Sequence, residues 1–347
     1  MSRKLASIQM IHDIVPIPDA DRIELAKVLG WQCVVPKGQF REGDLCVYFE
    51  IDSFLPVRSE FEFLRSNSYV VSDILGEGYR IKTKKMKGQL SQGLVLSLST
   101  LPELAGVSLG EDVSEALGVR KWEVEERATT GGTIIGELPE DVPHTDETRI
   151  QAEPGLLQAF AGKDYYITTK MDGSSHSLSI DREGRFWVCG HNYAYKDDGK
   201  CSFYEFVKSR GYEKAMRSYM EKAGIYTLTV QGEFCAPGIQ GNRLKLTKPE
   251  WYVFTVRING KRAGLHEMII ATETLGMRMV PIEEMGTDLP HLYPTVEALL
   301  ERAEGSYPNG GPKEGIVVRP EEPVFCPLVS GPLSMKVINN KYLLKND

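Results

Sequence analysis

The chain has 347 residues, of which 41% are hydrophobic and 26% charged, and its formal net charge is −7. This composition is typical of a globular protein long enough for two domains, and the net charge does not indicate a nucleic-acid-binding protein. No apolar run approaches the roughly 20 residues that span a membrane. The N-terminal sequence MSRKLASIQM lacks the apolar region of a signal peptide, so we expect a cytoplasmic protein with no membrane association.

The six cysteines and six histidines are scattered along the chain without the spacing of a metal site. No C-x-x-C pair is present, and no pair of histidines lies near a cysteine. A structural zinc site is therefore not expected, and the thiols are predicted to be reduced and mostly buried.

Residues 1–120 contain short apolar segments separated by turns, including WQCVV (31–35) and LCVYFEI (45–51). About five short strands in this length predict a small closed β-barrel such as an OB fold. The segment PIPDADR (16–22) also resembles the start of tRNA-binding OB modules.

A basic stretch, RIKTKKMK (80–87), carries five positive charges in eight residues. Strand alternation would place Arg80, Lys82 and Lys84 on one face. Such a stretch is often only a solvated surface, but in an OB fold it would be a nucleic-acid-binding surface. The candidates for RNA contact are Arg80, Lys82, Lys84, Lys85 and Lys87.

Residues 121–145 contain Gly-Gly, two prolines and few periodic apolar residues, which predicts a linker or a long surface crossing. A larger α+β domain is expected over residues 146–347. Its predicted strands are 164–170, 175–181, 185–190, 226–234, 251–258 and 315–319, with a hairpin turn at 181–184. Its predicted helices are 202–223, 264–275 and 295–304, the last capped by Thr295.

Lys170 ends the first of these strands, just before the turn Met171-Asp172-Gly173. A lysine is a nucleophile only when its amine is neutral, which requires burial or nearby positive charge to lower its pKa. The apolar residues before Lys170 predict burial. The glycine lets the backbone approach a ligand closely.

Further polar residues follow at or in later predicted strands, and we expect them all in one sheet. In chain order they are Glu233 in QGEFC, Phe254 in WYVFTV, Glu314 in KEGIVVRP and Lys336 in PLSMKVI. A lone K-x-D-G is a weak signal, but this ordered set is far more specific.

The set resembles motifs I, III, IIIa, IV and V of the covalent nucleotidyltransferases, which include ATP-dependent ligases and mRNA capping enzymes. The matching segments are KMDG (170–173), GEF (232–234), the strand with Phe254, EGIVVR (314–319) and SMKVI (334–338). The OB-like segment precedes these motifs, and only 11 residues follow Lys336. This order is similar to the fifth family of RNA ligases, which have an N-terminal OB module.

The resemblance implies an ATP-dependent enzyme that seals a 3′-OH end to a 5′-phosphate end, with RNA on the 3′-OH side of a nick, in RNA repair. Lys170 would attack the α-phosphate of ATP and carry AMP, and AMP would then pass to the 5′-phosphate. The expected partner is a nicked duplex or broken structured RNA, and a monomer is the simplest expectation.

The resemblance also implies roles for the other residues. Lys336 would be catalytic through phosphate contact, and Mg²⁺ or Mn²⁺ would be bound by Asp172, Glu233 and Glu314. The implied ATP or AMP contacts are Lys170, Asp172, Gly173, Arg149, Asn192, Glu233, Phe254, Glu314 and Lys336.

Two positions depart from the family pattern. His191 stands where an arginine is usual before Asn192, and Ser334 replaces the first lysine of K-x-K. The resemblance then leaves phosphate contact to Lys336 alone or to Lys341.

Two alternatives of different classes stay open on the sequence. One is an RNA-binding protein whose nucleotidyltransferase domain is inactive, although Lys170, Glu233, Glu314 and Lys336 are all retained. The other is a guanylyltransferase or DNA ligase, but such enzymes carry an OB domain after motif V.

Overall fold

The computed structural model describes residues 3–122 and 130–346. They form two compact units: residues 3–122 with Ile150–Pro154 and 343–346, and residues 130–149 with 155–342. Part of the predicted linker, residues 123–129, lies outside the described residues. Of the rest of that stretch, Ile134–Glu137 forms a strand.

The first unit is built from short antiparallel strands, and there are more of them than the five expected. In chain order they are β1 Ala6–Pro16, β2 Ile23–Val28, β3 Trp31–Pro36, β4 Leu45–Phe49, β5 Ser53–Pro56, β6 Tyr69–Ser72, β7 Gly76–Arg80, β8 Thr83–Met86, β9 Gln89–Gln92, β10 Leu94–Ser97 and β11 Arg120–Lys121. They form a five-stranded sheet β10-β4-β1-β2-β3, a four-stranded sheet β11-β5-β7-β6 and the ribbon β8-β9.

Buried apolar side chains between the elements of this unit form one core, including Ile8, Phe49, Phe61 and Tyr79. A short helix, Arg65–Ser68, follows the 3₁₀ turn Ser59–Leu64, and further 3₁₀ turns occupy Leu98–Thr100 and Pro102–Leu104. The small strands and their shared hydrophobic core agree with the barrel-like module expected from the sequence.

The basic stretch does not form one strand, and that expectation was wrong. Arg80 ends β7, whereas Lys84 and Lys85 belong to β8. A tight turn follows at Lys87 and Gly88, whose φ values of 47° and 80° match a two-residue hairpin turn. Lys85 and Lys87 are therefore exposed at the tip of the β8-β9 ribbon.

The second unit contains two main antiparallel sheets. Its strands are β12 Ile134–Glu137, β13 Asp164–Lys170, β14 Ser174–Ile180, β15 Phe186–Cys189, β16 Tyr193–Tyr195, β17 Leu228–Cys235, β18 Glu250–Ile258, β19 Lys261–Arg262, β20 Arg278–Met279, β21 Ile282–Thr287, β22 Gly315–Pro320, β23 Phe325–Cys326, β24 Gly331–Pro332 and β25 Met335–Ile338. The larger sheet runs β12-β16-β15-β14-β17-β18-β19 with β20 beside β18, and the smaller runs β21-β13-β22-β25.

The helices of this unit are Leu156–Ala159, Ser202–Arg210, Tyr212–Ala223, Leu265–Thr274, Leu289–Leu292 and Val296–Arg302, and Asn340–Asn346 closes the described chain. The α+β class and all six predicted strands of this region are confirmed. The helix predicted over 202–223 is instead two helices, because Gly211 adopts a left-handed conformation with φ 66°. Thr295 caps the later helix as predicted, accepting from the Ala298 amide at 3.2 Å.

All six cysteines are buried and none forms a disulfide, as the sequence predicts. Burial raises the pKa of Cys46 to about 12, so its thiol is unreactive at neutral pH. Among the helices of the described residues, none is both long and apolar enough to cross a membrane.

Candidate active site

Lys170 is the last residue of β13, and its side chain is largely buried. Its Nζ lies 2.7 Å from Oε1 of Glu314, which immediately precedes β22. The two are brought together because Lys170 pairs with Gly315 at the end of the β13-β22 ladder. The predicted nucleophile and the motif IV glutamate therefore form a direct ion pair.

The turn after Lys170 carries the chain from the smaller sheet to the larger one. A Cβ on Gly173 would overlap the Phe234 carbonyl oxygen and lie 2.8 Å from Cys235 Sγ, so only glycine permits this approach. The Gly173 amide donates to Glu233 Oε1 at 3.1 Å. The expectation of one sheet was wrong: Lys170 and Lys336 lie in the smaller sheet, whereas Glu233 and Phe254 lie in the larger.

The electrostatics of Lys170 also differ from the expected lowered pKa. Burial lowers the pKa of its amine, but the carboxylates of Glu314 and Glu233 outweigh burial and raise that pKa overall. Burial, together with Glu314, raises the pKa of Glu233 to about 7 although Lys170 opposes this. Without bound ligands, the site therefore favours an ammonium at Lys170, and activation requires charge from a ligand.

Both carboxylate oxygens of Asp172 accept hydrogen bonds from other side chains. One of its oxygens accepts from Arg243, and the other accepts from the Tyr342 hydroxyl at 3.0 Å. Arg243 also lies over the Tyr342 ring, 5.0 Å from its centroid. Of the two roles expected for Asp172, these contacts favour ordering the turn.

A pocket lies between the two sheets of this unit. Side chains from both sheets line it, including Lys170, Glu233, Phe254, His191, Arg319 and Lys336. Phe254 is only half-buried, so its ring is available for stacking. Six residues widely separated in sequence thus face one cavity, as expected for a ligand site.

Arg319 supports Phe254. Its guanidinium donates to the Phe254 carbonyl oxygen and lies 5.7 Å from the ring centroid. Glu147 binds Arg319 at 2.6 Å and lies 3.7 Å from Arg262. Burial raises the pKa of Glu147, but the two arginines outweigh it and hold the carboxyl ionised.

Lys336 lines the pocket from β25, and its amide donates to the Thr148 carbonyl at 2.8 Å. Arg149, the next residue, forms a backbone bridge with Lys336. Ser334 is buried and supplies no charge. Lys341 pairs with Glu304 at 2.6 Å and is not among the pocket-lining residues, so the structure favours Lys336 for phosphate contact.

His191 lines the pocket and lies 3.4 Å from an Asp146 oxygen, whereas its neighbour Asn192 is not among the lining residues. His144 lies beside His191 with ring centroids 5.9 Å apart. In the part of the chain that the structure describes, no three His, Cys, Asp or Glu side chains form a ready metal cluster.

Glu233 and Glu314 nevertheless fit a divalent cation. Two carboxylates face a single lysine in a largely buried site, and this excess negative charge favours a bound cation. Mg²⁺ is held by one or two carboxylates together with substrate phosphates rather than by a protein cage. The pair therefore suits a metal that arrives with a nucleotide.

Several contacts that hold the site together could not be identified from local sequence patterns. Glu147, Arg243 and Tyr307 belong to none of the five matched nucleotidyltransferase motifs, and Arg319 is the last residue of EGIVVR. Their partners lie far away in sequence; Arg319 and Glu147, for example, are 172 residues apart. The one signal is the position of Arg319, which lies two residues after Val317 and so on the same face of the strand.

A lysine at a strand end paired with a glutamate, above a pocket with a half-buried aromatic ring and a second lysine, defines a covalent nucleotidyltransferase. The sequence profile described as RNA ligase matches residues 163–338, a little over half of the chain, and a profile described as OB-fold domain matches residues 5–98. The chain belongs to the RNA ligase family.

Solved structures of Naegleria gruberi RNA ligase agree with this assignment. A glutamate-to-alanine variant with AMP and Mn is 31% identical with a TM-score of 0.88, over 99% of both chains. The same values hold for a lysine-to-alanine variant with ATP and Mn and for the ligase with PPi. A search of curated proteins finds no match. The protein is thus an RNA ligase with an OB fold before its nucleotidyltransferase fold, and its substrate is a nucleic acid.

Proposed function

We propose that Lys170 is the residue through which this ATP-dependent RNA ligase carries AMP to an RNA end. The observation that carries the proposal is the 2.7 Å pair of Lys170 and Glu314 at a pocket between two sheets. The relatives from Naegleria gruberi, solved with ATP, AMP and PPi, support ATP as the nucleotide.

In the first step the neutral amine of Lys170 attacks the α-phosphorus of ATP. A nitrogen–phosphorus bond forms, the bond from the α-phosphorus to the bridging oxygen breaks, and pyrophosphate leaves. The ammonium proton must be lost first, which the carboxylates of Glu314 and Glu233 oppose in the ligand-free protein. Positioning and charge neutralisation then account for most of the acceleration.

Glu233 and Glu314 would hold Mg²⁺ or Mn²⁺. When bound, such an ion neutralises phosphate charge and disfavours the ammonium form of a neighbouring lysine. Glu314 would then no longer stabilise the Lys170 ammonium as strongly as it does in the ion pair. Asp172 would act by holding the turn through Arg243 and Tyr342.

The remaining pocket residues would bind the nucleotide. Phe254 would stack on adenine with Arg319 behind it, and Lys336 would contact the α-phosphate and stabilise the transition-state charge. Arg149 would reach phosphates from beside Lys336, and Asn192 would contact ribose from the turn that carries His191. Gly173 would bring backbone near the nucleotide.

In the second and third steps AMP passes to a 5′-phosphate, and a 3′-hydroxyl attacks that phosphate and releases AMP. We infer a nicked duplex with RNA on the 3′-OH side, or a broken structured RNA, as the substrate, and a monomeric enzyme in RNA repair. Residues 1–120 would serve as the RNA-binding module and residues 146–347 as the catalytic module, joined by residues 121–145.

The RNA-binding surface would centre on the β8-β9 ribbon. Lys85 and Lys87 are exposed at its tip. Burial, and after it the nearby charge of Lys82, lowers the pKa of the Lys84 amine. Such clustered positive charge favours a phosphate backbone. Arg80 would contribute less, because it pairs with Asp52 at 3.1 Å.

The test is incubation with α-³²P-ATP and Mg²⁺ followed by denaturing electrophoresis. We expect a labelled protein band that Lys170→Ala abolishes and that Lys222→Ala, at an exposed helical lysine, leaves unchanged. Sealing of a nicked RNA duplex should follow the same pattern. Absence of label with ATP, once prior adenylylation is excluded by mass spectrometry, or a label that survives in Lys170→Ala, would contradict the proposal.

A further inference from the structure

Tyr307 connects the backbones of the two paired residues of the active site. Its ring is buried against Met171, Tyr252 and Val280. Its hydroxyl donates to the Lys170 carbonyl oxygen at 2.8 Å and accepts from the Glu314 amide at 3.1 Å. One phenol oxygen therefore joins the residues whose side chains form the 2.7 Å ion pair.

This bridge lies where the strand ladder stops. The last pair between β13 and β22 is Lys170 with Gly315, and β13 ends at Lys170. At this end, where the two segments separate, the Tyr307 hydroxyl forms hydrogen bonds with the Lys170 carbonyl oxygen and the Glu314 amide. Tyr307 therefore fixes the separation of Lys170 and Glu314 at the end of the ladder, where strand pairing stops.

Glu283 makes a second connection, between the residues that precede Lys170 and Glu314 in the sequence. It accepts from the Thr169 hydroxyl at 2.8 Å, and both of its oxygens accept from Lys313 Nζ at 2.6 Å. Thr169 directly precedes Lys170, and Lys313 directly precedes Glu314. Arg302 binds the same carboxylate at 2.8 Å, so the connection is held from a third element.

Each connection has one buried member, and Glu283 itself is half-buried. Lys313 is 5% exposed and Tyr307 is 4% exposed. Neither Tyr307 nor Glu283 is among the residues that line the pocket. Tyr307 contacts the backbone of Lys170 and Glu314, and Glu283 contacts the side chains of the residues before them. Neither residue is among the groups proposed to touch the nucleotide.

We propose that Tyr307 and Glu283 are positioning residues that hold Lys170 at a fixed distance from Glu314, and so aim its amine at the α-phosphorus. The inference rests on the proposed role of Lys170 as the nucleophile. In-line attack is sensitive to small displacements, because a misplacement of about 1 Å can slow a reaction by about 100-fold. Loss of the bridge therefore slows the attack without removing any nucleotide contact.

The test is the single-turnover rate of protein labelling by α-³²P-ATP, measured over a range of ATP concentrations. Tyr307→Phe keeps the ring and removes the bridging hydroxyl. We expect its rate at saturating ATP to fall about tenfold or more, with less than about a twofold change in the half-saturating ATP concentration. Tyr293→Phe is the matched control, because its hydroxyl donates to Glu284 at 2.8 Å rather than to Lys170 or Glu314.

The split between rate and half-saturation separates positioning from folding, because partial unfolding lowers the amount of labelled protein rather than the rate constant. A wild-type rate in Tyr307→Phe, or a change confined to half-saturation, would overturn the inference. If wild-type protein took no label, the proposed function would fail instead.

Glu283→Gln provides an independent variant, should Tyr307→Phe not fold. The amide has the same shape, but it cannot accept from Lys313 with both terminal atoms as the carboxylate does. We expect the same fall in the saturating rate with little change in half-saturation. Labelling at the wild-type rate in folded Glu283→Gln would also overturn the inference.

Discussion

Glu147 is a carboxylate that keeps two arginines together at the edge of the nucleotide pocket. Arg319 and Arg262 both lie close to this carboxylate. Burial is the larger cause, and the charge of Arg319 the second, that lowers the pKa of Arg262 to about 10. Without the carboxylate, these two cations would repel each other in a largely buried site. The anchoring of Phe254 by Arg319 thus depends on Glu147.

We therefore predict that Glu147→Gln lowers the free energy of unfolding by about 3 kcal/mol, since breaking a buried ion pair leaves its partner charges uncompensated. The melting temperature should fall by roughly 6–12 °C. Differential scanning calorimetry measures this. Glu221→Gln, on the exposed face of the helix Tyr212–Ala223, should change it by less than about 2 °C. A comparable loss in both variants would refute the role of the pair.

His176 is fully buried in β14 beside Phe203, with ring centroids 4.3 Å apart. Burial lowers its pKa to about 4 from an ordinary value near 6.5. The unfolded chain therefore takes up this proton at a higher pH than the folded protein does. The resulting stability is complete above pH 6.5 and is lost as the pH falls towards 4.

This difference predicts a loss of about 3 kcal/mol of unfolding free energy between pH 6.5 and pH 4 from His176 alone. His176→Phe should show a shallower decline than wild type in urea titrations across that range. His266→Phe, at an exposed position, should follow the wild-type slope. Equal slopes in all three proteins would show that His176 does not titrate as described.

At the level of elements, the turn Met171–Gly173 determines how the two sheets of the second unit meet. It leads from β13 in one sheet directly into β14 in the other. Gly173 contacts the backbone of Phe234, and its amide holds the Glu233 carboxylate. A side chain at this position would push the turn away from β17 and displace that carboxylate.

Gly173→Ala should therefore destabilise the protein by about 1–3 kcal/mol, as overpacking does, and slow labelling of Lys170 by about tenfold or more. Urea unfolding and single-turnover labelling measure the two effects. Gly136→Ala is the matched control, because a Cβ on Gly136 meets nothing within 4 Å. Normal labelling in Gly173→Ala would mean that the turn tolerates displacement.

The strands of the second unit could be predicted because apolar residues and turn signals mark them locally. Lys170, Glu233 and Glu314 could be predicted as a group from their order along the chain. Their division between two sheets could not, because it depends on the contact of Gly173 with the distant Phe234 backbone. The break at Gly211 was missed because both helices around it are amphipathic and the glycine was the only interruption.

The residues that hold the site in place were beyond local patterns for the same reason. Tyr307 bonds to Lys170 across 137 residues, and Glu147 bonds to Arg319 across 172. A tyrosine in GSYPNGGPKEG looks like an ordinary loop residue until the fold brings the two strand ends beside it. Such contacts follow from tertiary packing, which periodicity does not report.

At the scale of the whole molecule, we expect RNA binding and lysine labelling to be separable. Replacing Lys85 and Lys87 by alanine should reduce the slope of log affinity against log salt for a nicked RNA duplex by about 1.5, because two phosphate contacts are lost. Fluorescence anisotropy over a salt series measures this. The rate of labelling by ATP should stay at the wild-type value.

Lys37→Ala with Arg41→Ala is the matched control for this prediction, since both are exposed basic residues of the same unit. It should leave the salt slope unchanged. An equal change in both double variants would indicate a diffuse charge effect rather than a binding surface on the ribbon.

The first unit includes Ile150–Pro154, a segment that the chain reaches only after passing through part of the second unit. Its Gln151 carbonyl accepts from the Gly30 amide at 2.9 Å, and Ile150 and Gln151 are fully buried. During synthesis on the ribosome, therefore, the N-terminal module cannot complete its packing when residue 122 emerges. Ile150–Pro154 emerge about 30 residues later, and residues 343–346 emerge only after the catalytic module, so the folding of the two modules overlaps.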